Sequence, residues 1–122
     1  GEQYAENEVH VLDEITTVTT SGAHFTSQIR LYDSSSTDGI AVFACAKTIE
    51  QVVINAGNKA ATLEVYASVD GVEWTLVSSL TTTSAYGNHT VELGAAAGYK
   101  YIKLDAVGAQ VRVAFTTFTF AE

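Results

Sequence analysis

Apolar and polar residues alternate with period two along most of this chain, the period of half-buried strands. The clearest run is Ala61 to Val69. Leu63, Val65 and Ala67 share one face there, and Thr62, Glu64, Tyr66 and Ser68 the other. Ser27 to Tyr32 places Ile29 and Leu31 inward and Gln28 and Arg30 outward. Tyr99 to Asp105 places Ile102 and Leu104 inward, which sends Tyr99, Tyr101 and Lys103 outward. Ile49 to Ala56 carries Val52 and Ile54. Ile40 to Ala46 is nearly all apolar and reads as a central strand covered on both faces. Glu8 to Thr19 opens with Val9 and Val11 on one face, then breaks near Leu12-Asp13, where Leu12, Ile15 and Val18 fall out of phase. Val72 to Leu80, Asn88 to Leu93 and Ala109 to Phe120 complete the set. No window of three turns carries an apolar stripe at i, i+3, i+4 and i+7, so no helix is expected.

Turn-forming residues punctuate these runs. Ser21-Gly22-Ala23, the polar stretch 33–39, Gly57-Asn58-Lys59, 81–87, 94–98 and 106–109 are the connections. Asp70-Gly71 between two apolar runs predicts a type I′ hairpin turn, with positive φ at both central residues. About nine short strands with turns every 8–12 residues predict an all-β protein built as a single antiparallel β-sandwich.

Composition narrows the picture. The chain has 122 residues, so 1–122 reads as one domain. It is 47% hydrophobic, which excludes a disordered tail. No apolar run approaches the roughly 20 residues of a membrane span, and residues 1–10 lack signal-peptide architecture. Lys and Arg number 6 against 14 Asp and Glu, a net charge of -8 that disfavours nucleic acid as partner. A single Cys makes no intramolecular disulfide and no cysteine-based zinc site. Met is absent, so the expectation is a module cut from a longer chain. With 16 Thr, 14 Val, no Pro and one Cys, the composition fits a secreted or extracellular bacterial protein, free or attached to the cell surface.

Val65-Tyr66-Ala67-Ser68-Val69-Asp70-Gly71-Val72-Glu73-Trp74-Thr75 resembles the hairpin of discoidin-like (coagulation factor 5/8 type C) modules. It is similar also to related β-sandwich carbohydrate-binding modules of bacterial polysaccharide-degrading enzymes. Tyr99-Lys100-Tyr101-Ile102-Lys103-Leu104, followed by Val111-Arg112-Val113, is similar to the end of those modules, so the resemblance covers roughly residues 48–120. The N-terminal part departs from the pattern, with no early Trp and no Cys pair closing the domain. The resemblance implies a jelly-roll-like sandwich that is extracellular, non-catalytic and glycan-binding. It carries over no ligand residue. In the resembled hairpin the tryptophan packs inward.

The chemistry of the side chains points the same way. His10, His24 and His89 match no nucleophile elbow or zinc spacing and read as ordinary surface or loop residues. The acids cluster near the N-terminus and in turns, a solvated face rather than a cleft with paired carboxylates, so no enzyme is expected. Cys45 reads as a buried thiol, and Phe115, Phe118 and Phe120 as core.

Two sets of residues are candidates for binding. Tyr99, Tyr101 and Lys103, with Tyr66 and Glu64, share an outward sheet face, unless another strand or loop covers it. Alternating strand direction gathers Tyr32, Asp33, Asp38, Asn58, Lys59, Tyr86, Asn88 and Asp105 at one end, where the alternative is ordinary turn chemistry. Trp74 is a third candidate, as a sugar-stacking ring. Asp33 and Asp38 are the candidate ligands of a structural calcium, and no other cofactor is expected.

The expected function is a carbohydrate-binding module that holds a covalently linked catalytic domain on plant or microbial polysaccharide. The alternative is a structural or adhesive sandwich of a bacterial cell-surface protein. The bulk charge argues against strongly anionic glycans such as pectate, while Lys59, Lys100 and Lys103 keep that option open.

Overall fold

A computed structural model of the chain describes residues 2–3, 10–12, 15–21, 23–25, 29–31, 39–45, 47–107 and 111–121. Twelve strands lie among them: β1 (Glu2–Gln3), β2 (His10–Leu12), β3 (Ile15–Ser21), β4 (Ala23–Phe25), β5 (Ile29–Leu31), β6 (Gly39–Cys45), β7 (Ile49–Gly57), β8 (Ala61–Ser68), β9 (Thr75–Thr82), β10 (Gly87–Glu92), β11 (Tyr101–Val107) and β12 (Val111–Phe120). One turn of 3-10 helix, Ala95–Ala97, interrupts them. The excess over nine comes from the N-terminal third. The out-of-phase run there is two paired strands, β2 and β3, and β1 and β4 are short additions.

The strands form two six-stranded antiparallel sheets, in the orders β1-β4-β5-β12-β7-β10 and β2-β3-β6-β11-β8-β9. The last four of each order, β5-β12-β7-β10 and β6-β11-β8-β9, are the nested pairing of a jelly roll. The chain passes from sheet to sheet after β1, β3, β5, β6, β7, β9, β10 and β11, and stays within one sheet from β2 to β3, from β4 to β5 and from β8 to β9. Alternation decides which residues fill the space between the sheets. Val52, Ile54, Leu63, Val65, Ile102 and Leu104 are buried, as their period-two positions require. Phe43 from one sheet meets Phe118 from the other edge-on, with centroids 6.0 Å apart. Phe118 in turn stacks on Phe120 at 6.2 Å.

Strand β6 sits between β3 and β11 and is covered on both sides in part. Ala41, Phe43 and Cys45 face the core, and Val42 on the other side is also buried. The last strand changes phase midway. Val111 and Val113 are buried, a register shift follows between Val113 and Phe115, and Phe118 and Phe120 then pack on the core. The extra residue moves the inward set from odd to even positions. Phe115 takes the register position opposite Asn55, and its side chain lies outside the described residues.

Burial pushes the Cys45 thiol up to about 11. We expect it to resist a thiol-specific reagent at mildly alkaline pH in the folded domain and to react at once in denaturant. A colorimetric thiol titration with and without urea checks this, and rapid reaction of the folded domain would contradict it.

Candidate functional site

The connection between β8 and β9 is built by two side chains of the Ser-x-Asp-Gly segment. Ser68 is 1% exposed, and its Oγ accepts the Gly71 N–H at 2.8 Å while donating to Asp70 Oδ1 at 3.1 Å. Asp70 Oδ1 also accepts the N–H groups of Val72, at 2.8 Å, and Glu73, at 3.0 Å. This corrects the expected type I′ turn. Only Gly71 has positive φ, 79°, and Asp70 shapes the loop through its carboxylate instead. Strand β9 consequently starts at Thr75 rather than Val72.

Gly71 has a second constraint. A Cβ there would stand 3.0 Å from Cε2 of Tyr101, so the glycine lets the loop backbone lie on that ring. The loop then delivers Trp74 to the same ring, edge-on at 6.4 Å and 82°.

Tyr101 opens β11, where alternation with buried Ile102 and Leu104 turns Tyr101, Lys103 and Asp105 outward. Register pairs Tyr101 with Ser68, Lys103 with Tyr66, and Asp105 with Glu64. Lys103 Nζ lies 4.5 Å from the Tyr66 ring centroid and 4.8 Å from that of Trp74. Tyr66 donates its hydroxyl hydrogen to Glu64 Oε1 at 3.2 Å. Partial desolvation, then the Glu64 carboxylate, raise the Tyr66 phenol above its ordinary value. Leu76 stands opposite Tyr66 on β9 and is half exposed. Trp74, Tyr101, Tyr66 and Lys103 thus form one half-buried aromatic platform on the outer face of the second sheet.

Other candidate residues fall elsewhere. Tyr99 is not on this face: it precedes the strand and packs against the core, so the pleat rule does not reach it. Trp74 does not pack inward, because it lies in the loop and meets the outward residues Tyr101 and Lys103. Asn58, Lys59 and Tyr86 lie in the connections at the opposite end of the strands. These connections do meet: a Cβ on Gly57 would lie 2.8 Å from the Ala85 carbonyl oxygen, and Thr82 donates to the Lys59 carbonyl at 2.8 Å. Asn88 belongs to β10 instead, where it accepts from Asn55 Nδ2 at 2.8 Å across the ladder. Tyr32, Asp33 and Asp38 lie outside the described residues.

Among the described residues no group of three or more His, Cys, Asp or Glu could hold a metal ion. No helix among them is long and apolar enough to cross a membrane. His10, His24 and His89 sit on three different strands, β2, β4 and β10.

Alternation in the sequence already sends Tyr66 and Glu64 outward with Tyr101 and Lys103, but it places Asp105 at the loop end. The signal that joins them is register, which places Asp105 opposite Glu64 and Lys103 opposite Tyr66.

The backbone N–H bonds from Val72 and Glu73 hold the Asp70 carboxyl below its ordinary value of 3.8. A lowered carboxyl pKa means stability that is fully present above 3.8 and is lost as pH falls through the lowered value. We therefore expect Asp70→Asn to melt below the native chain at neutral pH, with the gap closing in acid. Thermal melts from about pH 6 to about pH 2 check this. A gap independent of pH would contradict it.

No family model matches this chain, and no curated protein matches it. Solved structures do. The C-terminal domain of a chitobiase from Bacteroides fragilis superposes with a TM-score of 0.69 at 12% identity, covering 94% of this chain and 100% of that one. The K2 cleaved adhesin domain of Lys-gingipain gives 0.59 at 15% identity, over 76% of this chain and 72% of that one. A point mutant of a family 29 carbohydrate-binding module, complexed with mannohexaose, gives 0.68 at 9% identity, over 95% and 89%. The β-sandwich fold of such modules is therefore shared by this chain.

Proposed function

We propose that the domain is a non-catalytic carbohydrate-binding module, and that it holds an appended secreted enzyme on polysaccharide. The observation that carries this reading is the platform of Trp74, Tyr101 and Tyr66 on an outward sheet face. Rings on a rigid sheet offer apolar surface to the CH patches of a sugar, and Lys103, Glu64 and Asp105 offer a donor and acceptors for its hydroxyls. The shared fold with a carbohydrate-binding module and with a domain of a chitobiase supports the reading. The likeness to a carbohydrate-binding module supports a role without catalysis as well. A structural calcium at Asp33 and Asp38 remains part of the proposal.

The likeness to the K2 adhesin domain favours a second reading, a structural or adhesive module. Affinity gel electrophoresis and pull-down against soluble and insoluble polysaccharides, with and without EDTA, separate the two. Retention on one glycan class supports the binding module. A folded domain retained by none of them supports the second reading. Loss of stability with EDTA supports the calcium, and an unchanged melt argues against it.

A further inference from the structure

Lys47, Thr48, Lys100 and Ala121 line an open depression of about 460 Å³ at one end of the sandwich. That volume falls within the range of small-ligand sites. Its walls come from three parts of the chain: the β6–β7 connection, the residue before β11 and the residue after β12. Backbone hydrogen bonds pin them together. The Cys45 N–H donates to the Lys100 carbonyl at 2.8 Å, the Ile49 N–H to the Tyr99 carbonyl at 2.7 Å, and the Ala121 N–H to the Thr48 carbonyl at 2.9 Å. The backbone around both lysines is thus fixed before any ligand arrives. Both lysines are exposed, and no acidic residue lines the depression. Among the described residues neither ammonium has an ion-pair partner. The chain has 14 Asp and Glu against 6 Lys and Arg, yet two of those cations share one depression without a carboxylate. Like charges so placed repel, and an anion between them relieves the repulsion.

The depression lies at the same end of the strands as the Trp74 loop. Register puts Tyr101 beside Ala44 and Ser68, and Phe120 beside Ile49. The Lys100 N–H donates to the carbonyl of Ser68, the residue that braces that loop, at 3.0 Å. Lys100 also directly precedes Tyr101, about 3.8 Å away along the backbone.

We propose that this depression is a second binding site, which takes the anionic substituent, carboxylate or sulfate, of an acidic sugar in a glycan engaged by the platform. The inference rests on the carbohydrate-binding reading and adds to it a subsite and the charge of one ligand unit. Two ammonium groups supply charge-assisted hydrogen bonds to the anion's oxygens. Lysines act as point charges without the planar fork of arginine, so they accommodate carboxylate and sulfate alike. The net charge of -8 repels a dense polyanion at long range, so the ligand that fits best carries acidic units spaced among neutral ones.

The test measures retention on partly and fully methyl-esterified pectin, and on a sulfated galactan and its desulfated form, at low and high salt, with galactomannan as a neutral reference. Each pair contrasts a charged with an uncharged form, and the two pairs separate carboxylate from sulfate. Native protein is compared with Lys47→Gln, Lys100→Gln, the double variant and Lys59→Gln, with far-ultraviolet circular dichroism as the check on folding. Lys59 lies at the other end of the strands, and its replacement changes the net charge as much as either single variant does. We expect the native domain to hold the charged form of at least one pair more tightly than the uncharged form, with the preference fading as salt rises. The double variant should lose about tenfold in affinity for the charged form and none for uncharged polymers. Lys59→Gln should change neither. A domain that holds a neutral glycan but gains nothing from charge in either pair would overturn the inference and leave the binding module standing. So would a preference that survives in the folded double variant, or one that Lys59→Gln lowers as much as Lys47→Gln and Lys100→Gln do. Retention by no polymer, charged or neutral, would overturn the underlying reading, and this inference with it.

Discussion

Replacing Trp74 with alanine is expected to remove glycan retention while leaving the sandwich folded. Trp74 stands outside the strands, on a loop held by Ser68 and Asp70, so no ladder hydrogen bond depends on its ring. Its loss takes the edge contact from Tyr101 and one of two rings from Lys103. The cost to folding should be about 1–2 kcal/mol, the scale of one aromatic pair and its buried area. The cost to binding should be larger. A central aromatic anchor is worth about 2 kcal/mol or more at an interface, so affinity should fall at least about thirtyfold. Tyr101→Ala should act similarly. Tyr86→Ala should leave retention unchanged, because Tyr86 lies at the far end of the strands. Affinity gel electrophoresis on a retained polysaccharide measures all three. If Tyr86→Ala alone weakened binding, the site would lie at the loop end and the platform would lose its role.

Phe43→Ala should give the largest loss of stability of any single truncation. Phe43 is 1% exposed, sits on a strand flanked on both sides, and spans the gap between the sheets to reach Phe118. Removing the ring leaves a cavity that two hydrogen-bonded sheets cannot collapse to fill. Buried phenylalanine truncations cost about 3–5 kcal/mol, which corresponds to roughly 10–20 °C in Tm for a domain of this size. Val72→Ala is the matched control. Val72 is 77% exposed, so its truncation should move stability by no more than about 0.5 kcal/mol. Urea unfolding of the three proteins gives both values. A Phe43→Ala loss below about 1 kcal/mol would mean that the sheets close over the void.

The two predictions rest on features of unequal visibility in the sequence. The inward residues were legible wherever alternation ran unbroken, as in Leu63-Val65-Ala67 and Ile102-Leu104, because one buried face imposes period two on its own. Tyr66, Tyr101 and Lys103 followed as the complement of those positions. The pattern fails where backbone regularity fails. Tyr99 stands just before its strand, and the register shift near Ala114 exchanges the two faces of β12. The Asp-Gly pair predicts a turn made by the backbone, whereas the Asp70 side chain does the shaping. The position of Trp74 depends on that loop and on the space left by Gly71, which no periodicity encodes. Register between β8 and β11, and hence the opposition of Glu64 and Asp105, required the fold itself.

The placement of β12 bears on how the domain is made. It lies between β5 and β7 at the centre of its sheet, yet it is the latest of these strands in the chain. A polypeptide emerging from the ribosome therefore has both flanks of that sheet before it has the middle. Leu31 must wait for Val111, and Val52 for Phe118. Folding of this kind is slow and governed by non-local pairing rather than by helical or hairpin segments. It also resists completion during translation, so the nascent chain stays open until the last strand is released. Truncating Val111–Phe120 would not trim an edge. It would divide the sheet in two and leave the apolar sides of β5 and β7 exposed to aggregation.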